Sequence, residues 1–372
     1  MNMDTSFVKQ LNSHDTYFFW KGRVALYALL MACGVSEGDE VIMQAFTCVA
    51  VPNPVLYLGA KPVYVDVDPS TYTLDVRLLA DKVSDNTKVI ILQNTFGHPP
   101  DYKPIVEFAH SKGIVVIGDC AHGMGSRYMD KYDGLVADAS IYSFQWTKPI
   151  TTGLGGMAVM CSPSKFPGLS QLIDDEFVPP SSGEQAMLRL QYLSHKYLLR
   201  PSTYWALIAC YRALAKSGLK VSSSSKEELV SEQMPDGFKK EMGAWQRSNV
   251  IAKLSQVDQV VSKRREAAAI YDTYCDDFGI ERAIQSPDVY HSFLRYPVKV
   301  TSNLAAFEVA KQNRIQVGEW FVEPVDPSSG DEARLKYERG SCPVAESLCE
   351  HVINLPTDHV LSEEQFGKVV AV

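Results

Sequence analysis

The sequence predicts an α/β fold built around a parallel sheet. Short apolar runs typical of buried strands alternate with helical segments of about ten residues through the first third of the chain. Because strands that are apolar on both faces need helices above and below them, this alternation favours a parallel sheet covered on both sides. The length of 372 residues, with 46% hydrophobic side chains, is sufficient for two domains.

The predicted elements follow one another closely in the first part of the chain. An apolar run bounded by two glycines predicts a buried helix that begins just after Gly22 and ends at Gly34. The remaining runs predict strands at 41–46, 61–67, 88–93 and 113–117, and helices at 49–57, 75–82 and 102–111. A further strand-like run covers 139–144.

The pattern changes after position 162. Residues 163–245 predict a helical insert, with an apolar block at 187–215 and a loop at 222–236 whose Ser, Glu and Lys content predicts mobility. The elements expected after it are one long helix at 247–278, a strand at 291–298, a helix at 303–313, an extended segment at 352–355 and a closing helix at 362–372. We therefore expect a large domain, 1–245, and a small C-terminal α/β domain, 246–372.

Composition and charge argue against several functional classes. With 36 basic and 44 acidic side chains the net charge is -8, whereas nucleic acid binding needs clustered Lys and Arg, so no nucleic acid partner is expected. No apolar stretch reaches the roughly 18 residues of a transmembrane helix, and residues 1–17 lack a signal-peptide core, which favours a cytoplasmic protein. The 8 scattered cysteines predict reduced thiols without a metal site.

Three positions are candidate site residues from local pattern alone. Lys148 lies between an apolar strand-like run and a Gly-rich turn, so it is either a lysine extending from a strand end to solvent or a desolvated amine able to form a Schiff base. Asp119 follows an apolar strand, where parallel sheets bind ligands, although it also suits a helix cap. The helix start at Gly22 offers free amides to an anion, or is only a turn.

Seven motifs occur in a fixed order over nearly the whole chain. They are G-R-V-A-L-Y-A-L from 22, G-D-E-V-I-M-Q-A-F-T from 38, G-A-K-P-V-Y-V-D-V-D-P from 59, F-G-H-P-P-D from 96, G-D-C-A-H from 118, Y-S-F-Q-W-T-K-P-I-T-T-G-L-G-G from 142 and C-P-V-A-E from 342. In this order they resemble the DegT/StrS-type nucleotide-sugar aminotransferases, which belong to the fold type I enzymes dependent on pyridoxal 5′-phosphate (PLP). The resemblance implies a large domain with a mostly parallel seven-stranded sheet and a smaller C-terminal α/β domain.

The resemblance also implies roles for individual residues. It makes Lys148 the residue that forms the Schiff base with PLP and then serves as the base, and it pairs Asp119 with the pyridine nitrogen. His122, otherwise a simple loop histidine, matches the position beside the ring hydroxyl. The remaining implied cofactor contacts are Gly22, the backbone amides of Arg23 and Val24, Cys48, Ser143, Gln145 and, reaching the phosphate from a neighbouring subunit, Asn249.

Two positions depart from the family pattern. Cys48 stands where many relatives have an aromatic residue stacked on the cofactor ring, and Leu154 replaces the glutamate of the usual G-E-G-G. The implied activity is amino transfer from glutamate or a similar donor to a keto sugar, nucleotide-linked, in a homodimer with a shared active site. Trp320, Phe321 and the loop in the 180s are expected to contact that substrate. Two alternatives stay open: a transaminase of a non-sugar ketone and a non-catalytic PLP-binding regulator.

Overall fold

A seven-stranded sheet forms the centre of the computed structural model, which describes residues 6–198, 224–283 and 288–372. The strands are β1 (Asp15–Phe19), β2 (Glu40–Gln44), β3 (Thr47–Cys48), β4 (Lys61–Val65), β5 (Thr87–Gln93), β6 (Val115–Asp119), β7 (Arg127–Tyr128), β8 (Lys131–Tyr132), β9 (Ala139–Ser143), β10 (Gly156–Met160), β11 (Val289–Tyr290), β12 (Arg295–Lys299), β13 (Val325–Asp326) and β14 (Val352–Pro356). The sheet order is β1-β10-β9-β6-β5-β2-β4, and β10 runs antiparallel to both of its neighbours. The predicted, mostly parallel seven-stranded sheet is therefore confirmed.

Helices pack against this sheet and account for much of the rest of the described chain. They are α1 (Phe7–Leu11), α2 (Gly22–Ala32), α3 (Pro52–Tyr57), α4 (Val76–Leu79), α5 (Tyr102–Ser111), α6 (Leu169–Glu176), α7 (Ser182–Leu198), α8 (Lys226–Val230), α9 (Ala244–Leu254), α10 (Val257–Phe278), α11 (Asn303–Gln312), α12 (Pro343–His351) and α13 (Glu363–Val370). Within the described ranges, no helix combines the length and apolar character needed to cross a bilayer.

The buried helix predicted after Gly22 is α2. Its residues from Val24 to Leu30 are all buried, so the helix is apolar on every side, as a helix inside a core must be. Gly34 follows with a φ of +78°, the left-handed conformation that commonly ends a helix. Helix α2 is thus explained by its sequence alone.

Two of the early predicted helices need correction. Helix α3 begins at Pro52 and not at 49, because Thr47–Cys48 pairs with β13 and the Val49 amide donates to the Asp326 carbonyl at 2.9 Å. The helix predicted at 75–82 divides into α4 and a 3-10 turn, Ala80–Lys82. The helix predicted at 102–111 has the bounds of α5.

The long helix predicted at 247–278 is two helices, α9 and α10. The break follows Leu254, where the Gln256 amide donates to the Lys253 carbonyl at 2.9 Å in a tighter, three-residue turn. The start of α10 packs in a cluster with the central sheet through Val257 and Val261, whereas its later turns pack with the C-terminal elements. Helix α10 therefore connects two hydrophobic cores, and the domain boundary at 245/246 stays a prediction.

The C-terminal strand begins later than predicted. Strand β12 starts at Arg295 instead of 291, because the preceding residues contact the loop after β5: the Ser292 amide donates to the Gly97 carbonyl at 3.1 Å, and Phe293 has a φ of +50°. A Cβ atom on Gly97 would overlap Ser292 Oγ, so this approach requires glycine. Strand β12 then pairs antiparallel with β14, and the closing helix is α13.

The described part of the insert contains three α-helices joined by irregular segments. Helices α6 and α7 lie within it, and the part of the predicted apolar block beyond 198 lies outside the described residues. The composition of the loop at 222–236 predicts mobility, but its described part holds α8, capped by Ser225, and buries the Glu228 side chain at 1% exposure. The mobility of this loop stays a prediction.

Candidate active site

A cavity of about 400 Å³ lies at the edge of the sheet where the parallel strands end. Gln93 ends β5, Asp119 ends β6 and Ser143 ends β9, and all three line the cavity. The next strand, β10, begins there with Gly156 opposite Ser143, and β1 ends beside it, so that the chain enters α2 at the same edge. Five adjacent strands therefore position the candidate site, as expected for a parallel sheet.

Eight of the ten predicted site residues line this cavity. They are Gly22, Arg23, Cys48, Asp119, His122, Ser143, Gln145 and Lys148. Trp320 and Phe321, expected to contact the substrate, line it as well. Within the part of the chain that the structure describes, Val24, Asn249 and the 180s loop do not line the cavity.

Lys148 is buried, with its amine inside the cavity. Its side chain is 8% exposed, and Nζ lies 5.0 Å from the centroid of the Trp320 ring. Burial lowers the pKa of Lys148 to about 8, although the nearby Asp119 carboxylate and Cys48 thiol act in the opposite direction. The structure thus supports the desolvated amine over a lysine extended to solvent, and an appreciable fraction of this amine is neutral near pH 7.

Asp119 presents a buried carboxyl group to the same cavity. Its Oδ1 accepts a hydrogen bond from the Ala121 amide at 3.0 Å. Burial raises the pKa of Asp119, and the Ala121 amide and the Lys148 charge only partly oppose this effect. A cation placed against Asp119 would stabilise its ionised form, which is the electrostatic property that a partner for a protonated ring nitrogen needs.

His122 belongs to a stack of rings on the cavity wall. Its ring lies 4.9 Å from that of Trp320, with 19° between the planes, and 6.1 Å from that of Phe321, with 3° between them. Burial moves the pKa of His122 well below its ordinary value, so the imidazole is neutral. Among the described residues Nδ1 has no hydrogen-bond partner, which leaves a buried polar atom available to a polar group in the cavity.

The start of α2 and Ser143 form the anion-binding end of the cavity. A Cβ on Gly22 would lie 3.4 Å from Ser143 Cβ, which is an ordinary contact distance, so the helix start lies directly against Ser143. The start of β10 lies even closer to the start of α2. A Cβ on Gly156 would overlap the Lys21 carbonyl and lie 2.6 Å from the Gly22 amide nitrogen, so this position requires glycine. Backbone amides at a helix start next to a hydroxyl suit a phosphate group.

The predicted Val24 contact needs correction. The Val24 amide donates to the Lys21 carbonyl at 3.2 Å within the first turn of α2, and the residue does not line the cavity. Asn249, on α9, donates to the Trp245 carbonyl at 2.9 Å and does not line its own chain's cavity. Since the Asn249 contact is predicted across a subunit boundary, it stays a prediction.

Leu154 closes one side of the cavity with apolar contacts. It is 2% exposed and packs with Trp20 and Leu188. Leu188 belongs to α7, so the insert contacts the site through this packing, and the 180s loop itself does not line the cavity. A carboxylate at position 154 would be buried among these apolar side chains, which is costly, so leucine suits the local packing.

Sequence reasoning missed five polar residues that line the cavity: Lys21, Gln93, Asn94, Ser224 and Asp326. Gln93 and Asn94 could have been found, because they stand at the end of β5 just as Asp119 stands at the end of β6. Lys21 directly precedes the anion-ready Gly22. Ser224 had no such signal, since it belongs to a polar segment far away in the sequence.

Fold and site define the class of protein. The solved structure of an aminotransferase from Psychrobacter cryohalolentis matches with a TM-score of 0.72 at 20% identity, covering 98% of this chain and 87% of that chain. The fold is that of the fold type I PLP-dependent transferases. The sequence profile of the DegT/DnrJ/EryC1/StrS aminotransferase family matches residues 12–167 and 206–372, so the chain belongs to this family.

Curated relatives from bacteria match most of the chain. GDP-perosamine synthase of Escherichia coli O157:H7 is 30% identical over 351 residues, which cover 92% of this chain and 80% of that protein. UDP-2-acetamido-2-deoxy-3-oxo-D-glucuronate aminotransferase of Pseudomonas aeruginosa is 26% identical over 337 residues, covering 90% of this chain and 79% of that protein. Both names denote proteins that act on sugars carried by a nucleotide.

Proposed function

We propose that this protein is a PLP-dependent aminotransferase that moves an amino group from glutamate or a similar amino acid to a keto sugar linked to a nucleotide. The proposal rests on one observation. The buried Lys148 amine and the buried Asp119 carboxyl group line one cavity, next to the N-terminus of α2, whose free amides can bind an anion. Family membership supports the reaction class. The names of the two relatives support the substrate class.

The cavity fits PLP by its chemistry. It offers an amine for the aldehyde at Lys148, a carboxylate for the ring nitrogen at Asp119, a buried ring nitrogen for the hydroxyl at His122, and a phosphate end at Gly22 and Ser143. When bound, PLP supplies an electron sink for the charge left on the substrate carbon after a proton leaves. Every other task falls to residues of the chain.

Those tasks follow from position and charge. The Lys148 amine would hold the cofactor and, as a base, would take a proton from the donor carbon and return a proton during transfer. Asp119 keeps the ring nitrogen protonated through its negative charge. Ser143 and the amides of Gly22 and Arg23 hold the phosphate, so that the reacting atoms stay within reach of Lys148.

A turnover screen tests the substrate class. Nucleotide-linked 3-keto and 4-keto sugars are incubated with glutamate, and formation of 2-oxoglutarate is measured. The chain is also 36% identical over 138 residues, 37% of its length, to a Streptomyces griseus protein named L-glutamine:scyllo-inosose aminotransferase. Glutamine and scyllo-inosose therefore belong in the panel, with 2-oxoglutaramate measured as the product of glutamine. Turnover with a nucleotide-linked keto sugar is the expected result. Turnover confined to scyllo-inosose would reject the nucleotide-sugar assignment while keeping the aminotransferase reaction.

A homodimer with a shared active site and a cytoplasmic location belong to the same proposal. Sedimentation equilibrium of the purified chain should give twice the mass of one chain. A protein that stays a monomer at the concentrations of the turnover assay, and is active there, would reject the shared site.

A further inference from the structure

A buried ion-pair cluster joins α2 to the Glu228 segment, defined here as residues 224–231. Lys21 Nζ donates to the Glu228 carboxylate at 2.9 Å, and Arg23 Nη1 lies 3.4 Å from the same carboxylate. The side chain of Lys21 is 16% exposed, that of Arg23 8% and that of Glu228 2%. Arg23 Nη2 also donates to Ser224 Oγ at 3.0 Å. Three charged groups are therefore withdrawn from solvent beside the cavity.

The Glu228 segment is held firmly in this place. Asn53 Nδ2 donates to the Glu228 carbonyl at 2.7 Å, and Arg334 Nη2 donates to the Leu229 carbonyl at 3.0 Å. The Ser225 amide donates to Glu228 Oε2 at 2.6 Å and completes a capping box. Backbone and side chain of Glu228 are thus both fixed, which is the arrangement expected of a residue that orients others.

The cluster carries a net positive charge toward the cavity. Lys21 and Arg23 supply two positive charges and Glu228 one negative charge, so one positive charge remains. Lys21, Arg23 and Ser224 line the cavity, whereas the Glu228 carboxylate stands behind them. Arg23 Nη1 makes no hydrogen bond within the described residues, but it forms the ion pair with Glu228 at 3.4 Å. Two cations that line the cavity and share one buried carboxylate can attract an anion.

We propose that Glu228 is a positioning residue, which holds the Lys21 and Arg23 side chains as a two-cation contact for the phosphate group of the cofactor. This inference rests on the proposed function, because it takes PLP as the ligand. It adds side-chain cations, set in place by a segment about 200 positions away in sequence, to the backbone amides of α2.

Glu228 also keeps Lys21 charged. Burial lowers the pKa of Lys21, and the Glu228 carboxylate is the main group acting in the opposite direction. Without that carboxylate the buried amine would lose its proton more readily, and Arg23 would lose its orientation. If Glu228 only repelled the phosphate, removing its negative charge would tighten the binding of PLP. If Glu228 positions Lys21 and Arg23, removing its charge should weaken the binding of PLP, so the direction of the change distinguishes the two roles.

Ligand binding to the apo protein tests this inference without turnover. The dissociation constants of PLP and of pyridoxal, which lacks the phosphate, are measured by visible absorbance and tryptophan fluorescence. In Glu228→Gln we expect the preference for PLP over pyridoxal to fall at least about tenfold, with pyridoxal binding unchanged within about twofold. The matched control is Glu227→Gln, an exposed carboxylate on the same helix, which should keep the wild-type preference.

The second variant is Ser224→Ala, a small change that removes one partner of Arg23. We expect its preference for PLP to fall about threefold to tenfold. If Glu228→Gln also loses pyridoxal, the Ser224→Ala result decides, and an unchanged preference there overturns the inference.

The remaining outcomes separate two failures. A Glu228→Gln protein that binds pyridoxal normally and PLP as well as or better than the wild type does overturns the positioning role alone. A wild-type protein that binds neither aldehyde overturns the proposed function, and the positioning role with it.

Discussion

At the scale of single residues, the burial of Lys148 decides what its amine can do. A lysine in solvent is protonated at neutral pH and cannot attack an aldehyde, whereas burial lowers the pKa of Lys148 from 10.5 to about 8. The same burial has a cost, because below that pKa the folded protein must keep a charge away from water. Stability should therefore rise as pH increases from about 8 toward 10.5, where only the unfolded chain binds the proton.

Reaction of the apo protein with pyridoxal tests this value. The rate constant for capture should increase with pH while the amine loses its proton, reach half of its maximum near pH 8, and level off about one unit higher. Stopped-flow absorbance measures the rate, and Lys148→Ala should lack this phase altogether. A rate that still rises through about pH 10 would show an ordinary, solvated lysine, contrary to the structure.

The Asp119 carboxylate should affect kcat more than it affects the affinity for PLP. In Asp119→Asn the side chain keeps its shape and can still meet the Ala121 amide, but it has no charge to hold a proton on the ring nitrogen. We expect kcat to fall on the order of a hundredfold or more, with PLP affinity changed much less. Steady-state kinetics with the substrate found in the screen measures the first quantity, and absorbance titration the second. An unchanged kcat would remove Asp119 from the reaction.

At the scale of secondary structure elements, the site depends on how closely β10 approaches the start of α2. Gly156 opens β10 opposite Ser143, and its backbone lies so close to that of Lys21 and Gly22 that no Cβ fits between them. This packing aligns the anion-binding helix start with the end of β9. The last glycine after Lys148 is therefore explained by packing, independently of any direct contact with a ligand.

Gly156→Ala tests this packing, with Gly183→Ala as the matched control. The first change should destabilise the fold by roughly 1–3 kcal/mol through overpacking and should weaken PLP binding by displacing Gly22. A Cβ on Gly183 meets nothing within 4 Å at the start of α7, so the control should be neutral or slightly stabilising. Urea denaturation measures the stability of both variants. Equal stability of the two would contradict the close approach of β10 to α2.

Helices and strands could be predicted from the sequence where a single apolar pattern extends over a single element. The pattern at α5 predicted its first and last residues, and the apolar run at α2 predicted that this helix is buried. Boundaries set by distant contacts could not be predicted. The late start of β12 depends on the loop at Gly97, and the break between α9 and α10 lies inside a continuous apolar pattern.

At the scale of the whole molecule, the site combines local signals with long-range ones. Lys148 and Asp119 could be predicted because each stands at the end of a recognisable strand, and the parallel sheet places those ends together. Glu228 could not be predicted, because the composition of its segment indicates a loop. Its partner Lys21 is 207 positions away in the sequence, and only the fold brings the two residues together. Trp320, which comes from the C-terminal part, joins the same cavity.

We propose that Lys148 is the residue that carries PLP. The most direct test is borohydride reduction of the PLP-loaded wild-type protein, followed by proteolysis and mass spectrometry of the modified peptide. The structure predicts a phosphopyridoxyl group on Lys148, at one per chain, and none on the Lys148→Ala protein. Modification of another lysine in place of Lys148, or retention of the label in Lys148→Ala, would contradict the account.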